Sequence, residues 1–272
     1  MTINCKDKIL NLNSTIVMGI LNVTPDSFFD GGKYFDKKTI LKRAESIINE
    51  GATIIDIGGY SSRPGAKNIS EEEELERVIN PIKSIVKKFP EAIISIDTFR
   101  SKVAKKAIEA GASIINDISA GEMDSKMFET VRELQVPYII MHMQGTPQNM
   151  QKNPKYKDIT KEIIQGLGKK INELTKLGVN DIIIDPGFGF GKTIEHNYEL
   201  LDNLELFSVL ETPVLIGISR KSFIYKKHNT TPDNVLKETT ELHKIGIQKG
   251  ASILRVHDVK EAVGLVLNME PT

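Results

Sequence analysis

Several features that mark particular classes of protein are missing from this 272-residue chain. Its single cysteine, Cys5, cannot form an internal disulfide or a cysteine-rich metal site, so a reducing compartment, the cytoplasm, is expected. No apolar run approaches the ~20 residues that span a bilayer. The first residues also lack the basic-then-apolar pattern of a secretory signal. We therefore expect no association with a membrane.

An excess of charge of one sign is missing too. The 36 lysines and arginines balance 36 aspartates and glutamates, which gives a formal net charge of zero. Binding to nucleic acid would require a basic excess, so small-molecule ligands are expected instead. The length suits one hydrophobic core, and no linker or change of composition divides the chain. Residues 1–272 are therefore expected to form a single domain.

Short β-branched runs recur along the chain, and each is followed by a charged segment. The runs are apolar throughout, which is typical of strands buried on both faces of a parallel sheet. They occupy residues 16–21, 53–57, 92–96, 113–116, 138–141, 181–184, 214–218 and 252–256. Eight strand–helix repeats predict a single (β/α)₈ barrel, with a doubly wound sheet as the alternative. Residues 1–15 are expected to form an N-terminal hairpin with its turn at residues 11–14.

The segments between these runs have the periodicity of helices. The predicted helices are residues 38–50, 71–88, 102–110, 125–134, 158–177, 198–206, 232–249 and 259–269. Ser70 and Glu73 have the spacing of a capping box, and the acidic run 71–74 lies at the positive end of the helix dipole. We interpret that run as a solvated helix start.

Polar side chains follow all eight predicted strands. In a barrel the carboxyl ends of the strands meet at one mouth, where active sites of this fold are built. A single polar residue at a strand end is typical of helix capping, but eight together favour a shared site. These residues are Asn22, Asp56, Asp97, Asn116 with Asp117, Met141 with His142, Asp185, the segment 219–222 and the segment 255–258.

The residue types at the predicted mouth indicate the kind of ligand. Several oxygen acceptors suit a ligand rich in N–H groups, and they are Asp56, Asp97, Asn116 and Asp185. Lys221, Arg255 and His257 follow the last two strands, the part of a barrel that frequently binds phosphate. Arginine grips phosphate oxygens as a fork, and lysine contacts them as a point charge. The predicted ligand is a polar heterocycle that carries a phosphate or diphosphate.

The glycine-rich segment 185–193, DPGFGFGKT, is similar to a nucleotide-binding loop but does not match one. Pro186 stands where the P-loop pattern ending at Lys192 requires glycine, and the three glycines lack the dinucleotide spacing. His142 has no second histidine at metal-ligand spacing, so we interpret it as a hydrogen-bonded histidine of the barrel wall. The Gly- and Pro-containing segments 22–32 and 58–65 are predicted to be loops over the mouth.

Taken together, these motifs resemble those of the dihydropteroate synthases, folate-pathway transferases of the pterin-binding (β/α)₈ family. The resemblance covers residues 18–258 and rests on the segments MGILNVTPDSF (18–28), DIGG (56–59), SSRPG (61–65), SIDT (95–98), ND (116–117), MHMQGTP (141–147), DPGFGFGK (185–192), SRKS (219–222) and RVHD (255–258). It implies condensation of 6-hydroxymethyl-7,8-dihydropterin diphosphate with p-aminobenzoate, yielding dihydropteroate and pyrophosphate. It also implies Mg²⁺ as cofactor, a homodimer and membership of a family that is a target of sulfonamides.

The resemblance implies a role for each matching residue. The pterin would contact Asp97, Asn116, Met141, Asp185, Lys221 and Arg255. The diphosphate would contact Asn22, Arg63, Arg255 and His257, with Asn22 also a metal ligand. The p-aminobenzoate would contact Phe28, Ser62, Pro64, Phe190, Lys221 and Ser222. The expected catalytic residues are Asp30, which would steady a cationic pterin intermediate, Lys221 and Arg255.

Three positions depart from the family pattern. Tyr60 stands where glutamate is common, Ser62 where threonine is common, and Phe29 where a small polar residue is usual. Two alternative functions remain. A methyltetrahydrofolate-dependent methyltransferase would have no use for the diphosphate contacts of Arg63 and Arg255. A non-catalytic pterin-binding homologue is expected to have lost such residues, which are present here.

Overall fold

The computed structural model describes residues 1–24, 37–61 and 68–269. Two short strands, β1 (Thr2–Cys5) and β2 (Lys8–Asn11), pair as an antiparallel hairpin. The next eight strands are β3 (Ile16–Asn22), β4 (Ile54–Gly58), β5 (Ile93–Asp97), β6 (Ile114–Asp117), β7 (Tyr138–Met141), β8 (Ile182–Asp185), β9 (Val214–Ile216) and β10 (Ala251–Val256). They are parallel and close into a barrel in which β10 pairs with β3. The predicted (β/α)₈ barrel with its hairpin is thereby confirmed, and the doubly wound alternative is wrong.

Helices follow the barrel strands and pack on its outer face. Those in the described residues are α1 (Lys37–Asn49), α2 (Glu71–Lys88), α3 (Ser101–Glu109), α4 (Met127–Leu134), α5 (Ile159–Lys176), α6 (Ile194–Asp202), α7 (Ser222–Lys227), α8 (Leu236–Gln248) and α9 (Val259–Met269). Short 3₁₀ helices cover Leu204–Leu210 and Pro232–Asn234. None of the helices described is long and apolar enough to cross a membrane.

Two helices begin four residues away from their predicted starts, and one helix was not predicted. The helix predicted from residue 198 begins at Ile194, because Thr193 and His196 form a reciprocal capping box at its start. The helix predicted from residue 232 begins at Leu236, after the short 3₁₀ turn. The six-residue α7 was missed because it is too short to show a helical period.

The hairpin turn does not lie at residues 11–14, as the sequence had suggested. Cys5 pairs with Lys8, so the chain turns through Lys6 and Asp7, and Lys6 has a left-handed φ of 60°. The Asn11 side chain instead accepts a hydrogen bond from the Asn13 amide at 2.9 Å. That local bend leads the chain from the hairpin into β3, which is why the polar residues there were mistaken for the turn.

The acidic run at the start of α2 is only partly a solvated helix start. Ser70 accepts the Glu73 amide at 3.1 Å, as its capping position predicts. Glu74, however, is fully buried. It accepts a hydrogen bond from Thr98 at 2.6 Å and pairs with Arg100, both from the loop after β5. Interpreting this glutamate as solvated was therefore wrong, because a tertiary contact supplies its partners.

The interior of the barrel is filled in two successive layers, because alternate residues of a strand face the same side. Each strand contributes one residue to a bottom layer that packs against the hairpin. The bottom layer consists of Met18, Ile54, Ile93, Ile114, Ile139, Ile183, Leu215 and Ile253. The second layer, the mouth layer, is formed by the residues that lie two positions further along the chain from each bottom-layer residue. It consists of Ile20, Asp56, Ser95, Asn116, Met141, Asp185, Gly217 and Arg255.

Candidate active site

Arg255 lies at the centre of the barrel mouth. Its Nε donates to Asp56 Oδ2 at 2.6 Å, and its Nη2 donates to Asp97 Oδ2, also at 2.6 Å. Asn116 Nδ2 donates to the same Asp56 oxygen at 3.1 Å. Burial alone would lower the pKa of Arg255, but the two carboxylates outweigh it and hold that pKa above its ordinary value. The guanidinium is therefore charged and joins β10 to β4 and β5.

Burial raises the pKa values of two carboxyls of the mouth, Asp97 and Asp185. Burial raises the pKa of Asp97 to about 7, against the opposing charge of Arg255. Burial also raises the pKa of Asp185, whose Oδ1 accepts the Gly187 amide at 2.7 Å. Asp56 Oδ1 is buried and has no hydrogen-bond partner among the residues described. A mouth of this kind suits a ligand whose ring N–H groups satisfy these oxygens.

His257 is a neutral group on the side of the mouth that is predicted to contact the diphosphate. Burial, together with the positive charge of Arg255, lowers the pKa of His257 to about 3. Its Nδ1 lies 3.2 Å from Ser219 Oγ, and its amide also donates to that hydroxyl. A neutral imidazole can donate a hydrogen bond to a phosphate oxygen but adds no charge. Among the described residues predicted for this side, the charged groups are therefore Arg255 and Lys221 and not His257.

Three residues predicted for the p-aminobenzoate site meet on one side of the mouth. Lys221 is the N-cap of α7, and Ser222 is the first residue of that helix. Lys221 Nζ lies 4.1 Å from the centroid of the Phe190 ring, a cation–π distance. A Cβ at Gly189 would lie 3.0 Å from Lys221 Cδ, so the aliphatic stem of the lysine crosses closely over the glycine-rich loop.

An apolar cluster lines the mouth beside the acidic residues. Its buried members are Tyr60, Ile69, Phe99, Ile118, Met141, Met150 and Phe190. The Tyr60 ring meets Phe99 edge to face at 5.0 Å, and its hydroxyl accepts from Gln148 Nε2 at 2.8 Å. Tyr60 stands where the family commonly has glutamate. Its ring extends the apolar wall, and its hydroxyl connects the segment after β4 to the long loop after β7.

Asn22 ends β3 at the rim of the mouth. A Cβ on Gly58 would lie 3.6 Å from Asn22 Oδ1 and from Asp97 Oδ2, so these two oxygens flank the same glycine. Within residues 1–24, 37–61 and 68–269, no group of three His, Cys, Asp or Glu side chains could hold a metal ion. The Asn22 amide oxygen is a hard oxygen ligand of the kind that Mg²⁺ accepts, and this ion usually keeps several waters and binds substrate phosphates.

Some predicted residues are not in the mouth or are not described. Phe28, Phe29, Asp30, Ser62, Arg63 and Pro64 lie outside the described residues. Asp117 faces the outer helices rather than the mouth, because it follows Asn116 directly on a strand. It accepts hydrogen bonds from Tyr138 at 2.7 Å and from Ser119 and Gly121 at 2.8 Å. Placing Asp117 among the mouth residues was therefore wrong.

Arg220 also points away from the mouth. It donates through Nε and Nη2 to the Asp258 carboxylate at 3.0 and 2.6 Å, and through Nη1 to Asp233 at 2.8 Å. These contacts join the loops after β9 and β10 behind the site. Neighbouring residues of the SRKS segment thus serve different purposes, since Lys221 faces Phe190 and Arg220 holds the backbone that carries it.

Lys192, which has no predicted role in the site, lies in its wall. It is buried, and its Nζ donates to the Gly187 and Phe190 carbonyl oxygens at 2.8 and 3.0 Å. His142 Nδ1 lies 3.2 Å from the same Nζ. Burial and the lysine charge lower the pKa of His142 to about 3, in agreement with its interpretation as a neutral, hydrogen-bonded wall histidine.

Comparison with known proteins identifies the family of this chain. Residues 18–257 match the family described as pterin binding enzyme, and the chain belongs to this family. A dihydropteroate synthase of Haemophilus influenzae is 42% identical over 261 residues, which are 95% of this chain and 94% of that relative.

Solved structures agree with this assignment. The Yersinia pestis dihydropteroate synthase, in a complex with a sulfonamide drug, superposes with a TM-score of 0.93, 39% identity and 98% coverage of both chains. The Xanthomonas albilineans dihydropteroate synthase with 4-aminobenzoic acid gives a TM-score of 0.92, 37% identity and 99% coverage of both chains. The predicted resemblance to dihydropteroate synthases is therefore confirmed.

Proposed function

We propose that this chain is a dihydropteroate synthase. It is a transferase that condenses 6-hydroxymethyl-7,8-dihydropterin diphosphate with p-aminobenzoate to give 7,8-dihydropteroate and pyrophosphate. The observation that carries the proposal is the mouth layer, where Asp56, Asn116 and Asp185 present oxygens beside the charged Arg255. A pterin offers N–H groups to such oxygens, and its diphosphate offers negative charge to the arginine.

The described residues suggest how the substrates are held. Asn116 and Asp185 bind the polar edge of the pterin from inside the barrel, while Met141 packs against its face. Arg255 and the neutral His257 contact the diphosphate at the rim. Asn22 would supply the protein oxygen to Mg²⁺, which when bound neutralises charge on the departing diphosphate.

The reaction proceeds by substitution at the pterin methylene carbon. The C–O bond breaks first, the electron pair leaves with the diphosphate, and a pterin cation remains that nearby carboxylates stabilise. The arylamine nitrogen then forms the new C–N bond and loses one proton. The amine is itself the nucleophile, so no serine, cysteine or histidine needs to form a covalent intermediate. Lys221 and Phe190 position the amine's ring beside the pterin.

Two related structures support the identity of the second substrate. The Xanthomonas protein was solved with 4-aminobenzoic acid and the Yersinia protein with a sulfonamide drug complex. In this chain, Phe190, Lys221 and Ser222 form the part of the p-aminobenzoate site that the structure describes. We therefore expect sulfonamides to compete with p-aminobenzoate and not with the pterin diphosphate.

A single assay tests the proposal. The purified chain is incubated with the pterin diphosphate and Mg²⁺, with and without p-aminobenzoate, and both pyrophosphate and dihydropteroate are measured. We expect dihydropteroate only when both substrates are present, with one pyrophosphate released for each product. Pyrophosphate release in the absence of amine would support prior C–O cleavage. Pterin binding without any product would contradict the proposal and indicate a binding homologue.

The proposal includes a homodimer that works in the cytoplasm. Leu206 and Val209 support the dimer, since they are 52% and 68% exposed on the same 3₁₀ helix. Light scattering should give twice the chain mass, and Val209→Glu should shift the protein towards the monomer. A wild-type monomer at all concentrations would contradict this.

The free, buried Cys5 is consistent with a reducing compartment.

A further inference from the structure

The glycine-rich loop between Asp185 and Lys192 folds around its own lysine. Lys192 is only 4% exposed, and its Nζ lies within hydrogen-bond distance of three carbonyl oxygens and one imidazole nitrogen. Two of the carbonyls, those of Gly187 and Phe190, belong to the loop itself. A P-loop lysine reaches outward to a phosphate, whereas this ammonium is directed into the loop that precedes it.

The rest of the loop backbone is also held by hydrogen bonds. The Gly189 amide donates to Asn197 Oδ1 and its carbonyl accepts from Gln151 Nε2, both at 2.7 Å. The Phe190 amide donates to the Gly187 carbonyl at 3.1 Å. Lys192 binds the carbonyl of that same phenylalanine, so both peptide groups flanking the Phe190 side chain are fixed.

The loop also fits tightly against the segment that follows β7 and contains His142. A Cβ at Gly187 would lie 1.9 Å from the His142 carbonyl oxygen, and one at Gly191 would lie 2.7 Å from the Gln144 carbonyl oxygen. The loop therefore has no room to shift inward. Lys192 Nζ connects the two segments, because it binds the Gly187 and Phe190 carbonyls of the loop and also lies 3.4 Å from the His142 carbonyl oxygen.

Burying an amine in this place carries a cost that packing alone does not explain. Burial lowers the pKa of Lys192 to about 7, although Asp185 partly opposes that shift. A methionine would fill similar space without desolvating a charge. The amine adds a donor group that the carbonyl oxygens of His142, Gly187 and Phe190 share. These shared hydrogen bonds fix the positions of the three carbonyls relative to one another.

We propose that Lys192 is a positioning residue that holds Phe190 beneath Lys221 and so sets the affinity for the arylamine substrate. The inference rests on the proposed function and assigns a purpose to a residue outside the predicted contacts. Lys192 acts through the loop, since Phe190 is the residue whose ring faces Lys221 Nζ at 4.1 Å. Of the strand-end residues predicted to contact the pterin, Asn116 and Met141 come from other strands, and Asp185 ends the strand from which the loop begins.

The first test is Lys192→Met, with Lys176→Met as the matched control at an exposed lysine of α5. We expect the KM for p-aminobenzoate to rise about tenfold, the equivalent of losing one or two hydrogen bonds. The KM for the pterin diphosphate and kcat should change less than about threefold, because those contacts remain. The control should match wild type in all three constants.

A double-mutant cycle with Phe190→Ala separates positioning from a general structural role. If Lys192 acts through Phe190, then Lys192→Met should raise the KM for p-aminobenzoate by less than about twofold in the Phe190→Ala background. Equal effects in both backgrounds would overturn the proposal. So would a Lys192→Met protein with wild-type KM for p-aminobenzoate, or one in which both KM values rise equally.

Gln151→Leu decides the matter if Lys192→Met does not purify as a folded protein. Gln151 is exposed and holds the loop only from outside, so its replacement leaves the core intact. We expect a rise of about two- to fourfold in the KM for p-aminobenzoate alone, and an unchanged KM would overturn the inference. A wild-type chain that makes no dihydropteroate would instead refute the proposed function, independently of either variant.

Discussion

The same eight strands build a bottom and a mouth of opposite character. The bottom layer is apolar in every strand and is covered by the N-terminal hairpin, whose Ile3, Cys5, Leu10 and Leu12 pack against it. Two residues further along, the mouth layer contains three charged side chains and one amide, and both Arg255 and Asn116 donate to Asp56. The strand geometry is common to both ends, so the difference between them lies in side-chain chemistry alone.

This difference separates stability from function along the barrel axis. Apolar side chains at the bottom gain free energy from burial and make few demands on their partners. At the mouth, buried carboxyls have raised pKa values, and Asp56 retains an oxygen without a partner among the described residues. Such groups destabilise the free protein and are retained where a ligand completes them. The two layers should therefore respond oppositely to substitution.

Ile183→Ala in the bottom layer should have the largest effect on stability. Ile183 is fully buried, and its truncation should lower the free energy of unfolding by about 2–5 kcal/mol through lost burial and the remaining cavity. Urea denaturation measures this change, and kcat of the folded enzyme should stay near wild type. Ile9→Ala is the control, since Ile9 is 76% exposed on the hairpin. Equal losses for both variants would contradict a stabilising bottom layer.

Lys221→Ala should produce the reverse pattern. Lys221 stands at the N-cap of α7 beside Phe190, and its removal takes away a cation that is predicted to contact the substrates. We expect kcat/KM to fall about 100- to 1000-fold, while the free energy of unfolding changes by less than about 1 kcal/mol. Steady-state kinetics and urea denaturation test the two parts. Wild-type turnover in this variant would remove Lys221 from the site.

Asp97→Asn should change how the stability of the protein depends on pH. Between the ordinary carboxyl pKa and the raised value of about 7, the folded protein binds more protons than the unfolded chain. Wild-type stability should therefore fall as pH rises through this window. Because asparagine cannot titrate, the variant should gain at least about 1 kcal/mol relative to wild type from pH 4 to 7. The quantity to compare is the slope of the free energy of unfolding against pH. The absolute stability is less informative, because Arg255 loses its charged partner in this variant at every pH.

The non-titrating mouth variant Met141→Leu is the control for that experiment. It changes the packing of the mouth, so it should shift the stability curve without altering its dependence on pH. A difference between Asp97→Asn and wild type that is constant from pH 4 to 7 would contradict a raised pKa for Asp97. Thermal unfolding in a series of buffers is sufficient for the measurement.

The smallest effect is expected at the hydrogen bond between Tyr60 and Gln148. Tyr60→Phe and Gln148→Met should each lower the free energy of unfolding by about 1 kcal/mol, and the double variant should lose little more. Urea denaturation of the four proteins gives the coupling energy. Fully additive losses would mean that the two side chains do not interact, and the mouth would then lack this connection between its loops.

The sequence predicted the barrel well because each strand is a continuous apolar run with a helix behind it. The end of β7 was predicted at Met141, and the bounds of α2 at residues 71 and 88. Contacts that depend on distant backbone could not be predicted in this way. Lys192 binds main-chain carbonyls, which carry no sequence signal, and Glu74 meets Arg100 only in the folded chain.

The neighbouring residues Asn116 and Asp117 show a related limit. Both are polar and both end β6, so composition alone cannot distinguish them. Strict alternation along the strand turns Asn116 into the barrel and Asp117 towards Tyr138 and the outer helices. In each strand, the residue two positions after the bottom-layer residue faces the mouth. In β6 the bottom-layer residue is Ile114, so this rule selects Asn116 and not Asp117.

The double engagement of Arg255 has a thermodynamic consequence for ligand binding. In the free protein its guanidinium already neutralises Asp56 and Asp97, so a ligand that draws the arginine towards phosphate must leave those oxygens to another donor. A pterin ring that supplies such donors would lower the cost of this exchange. Ring and diphosphate should therefore bind with positive cooperativity, each raising the affinity for the other by the same factor.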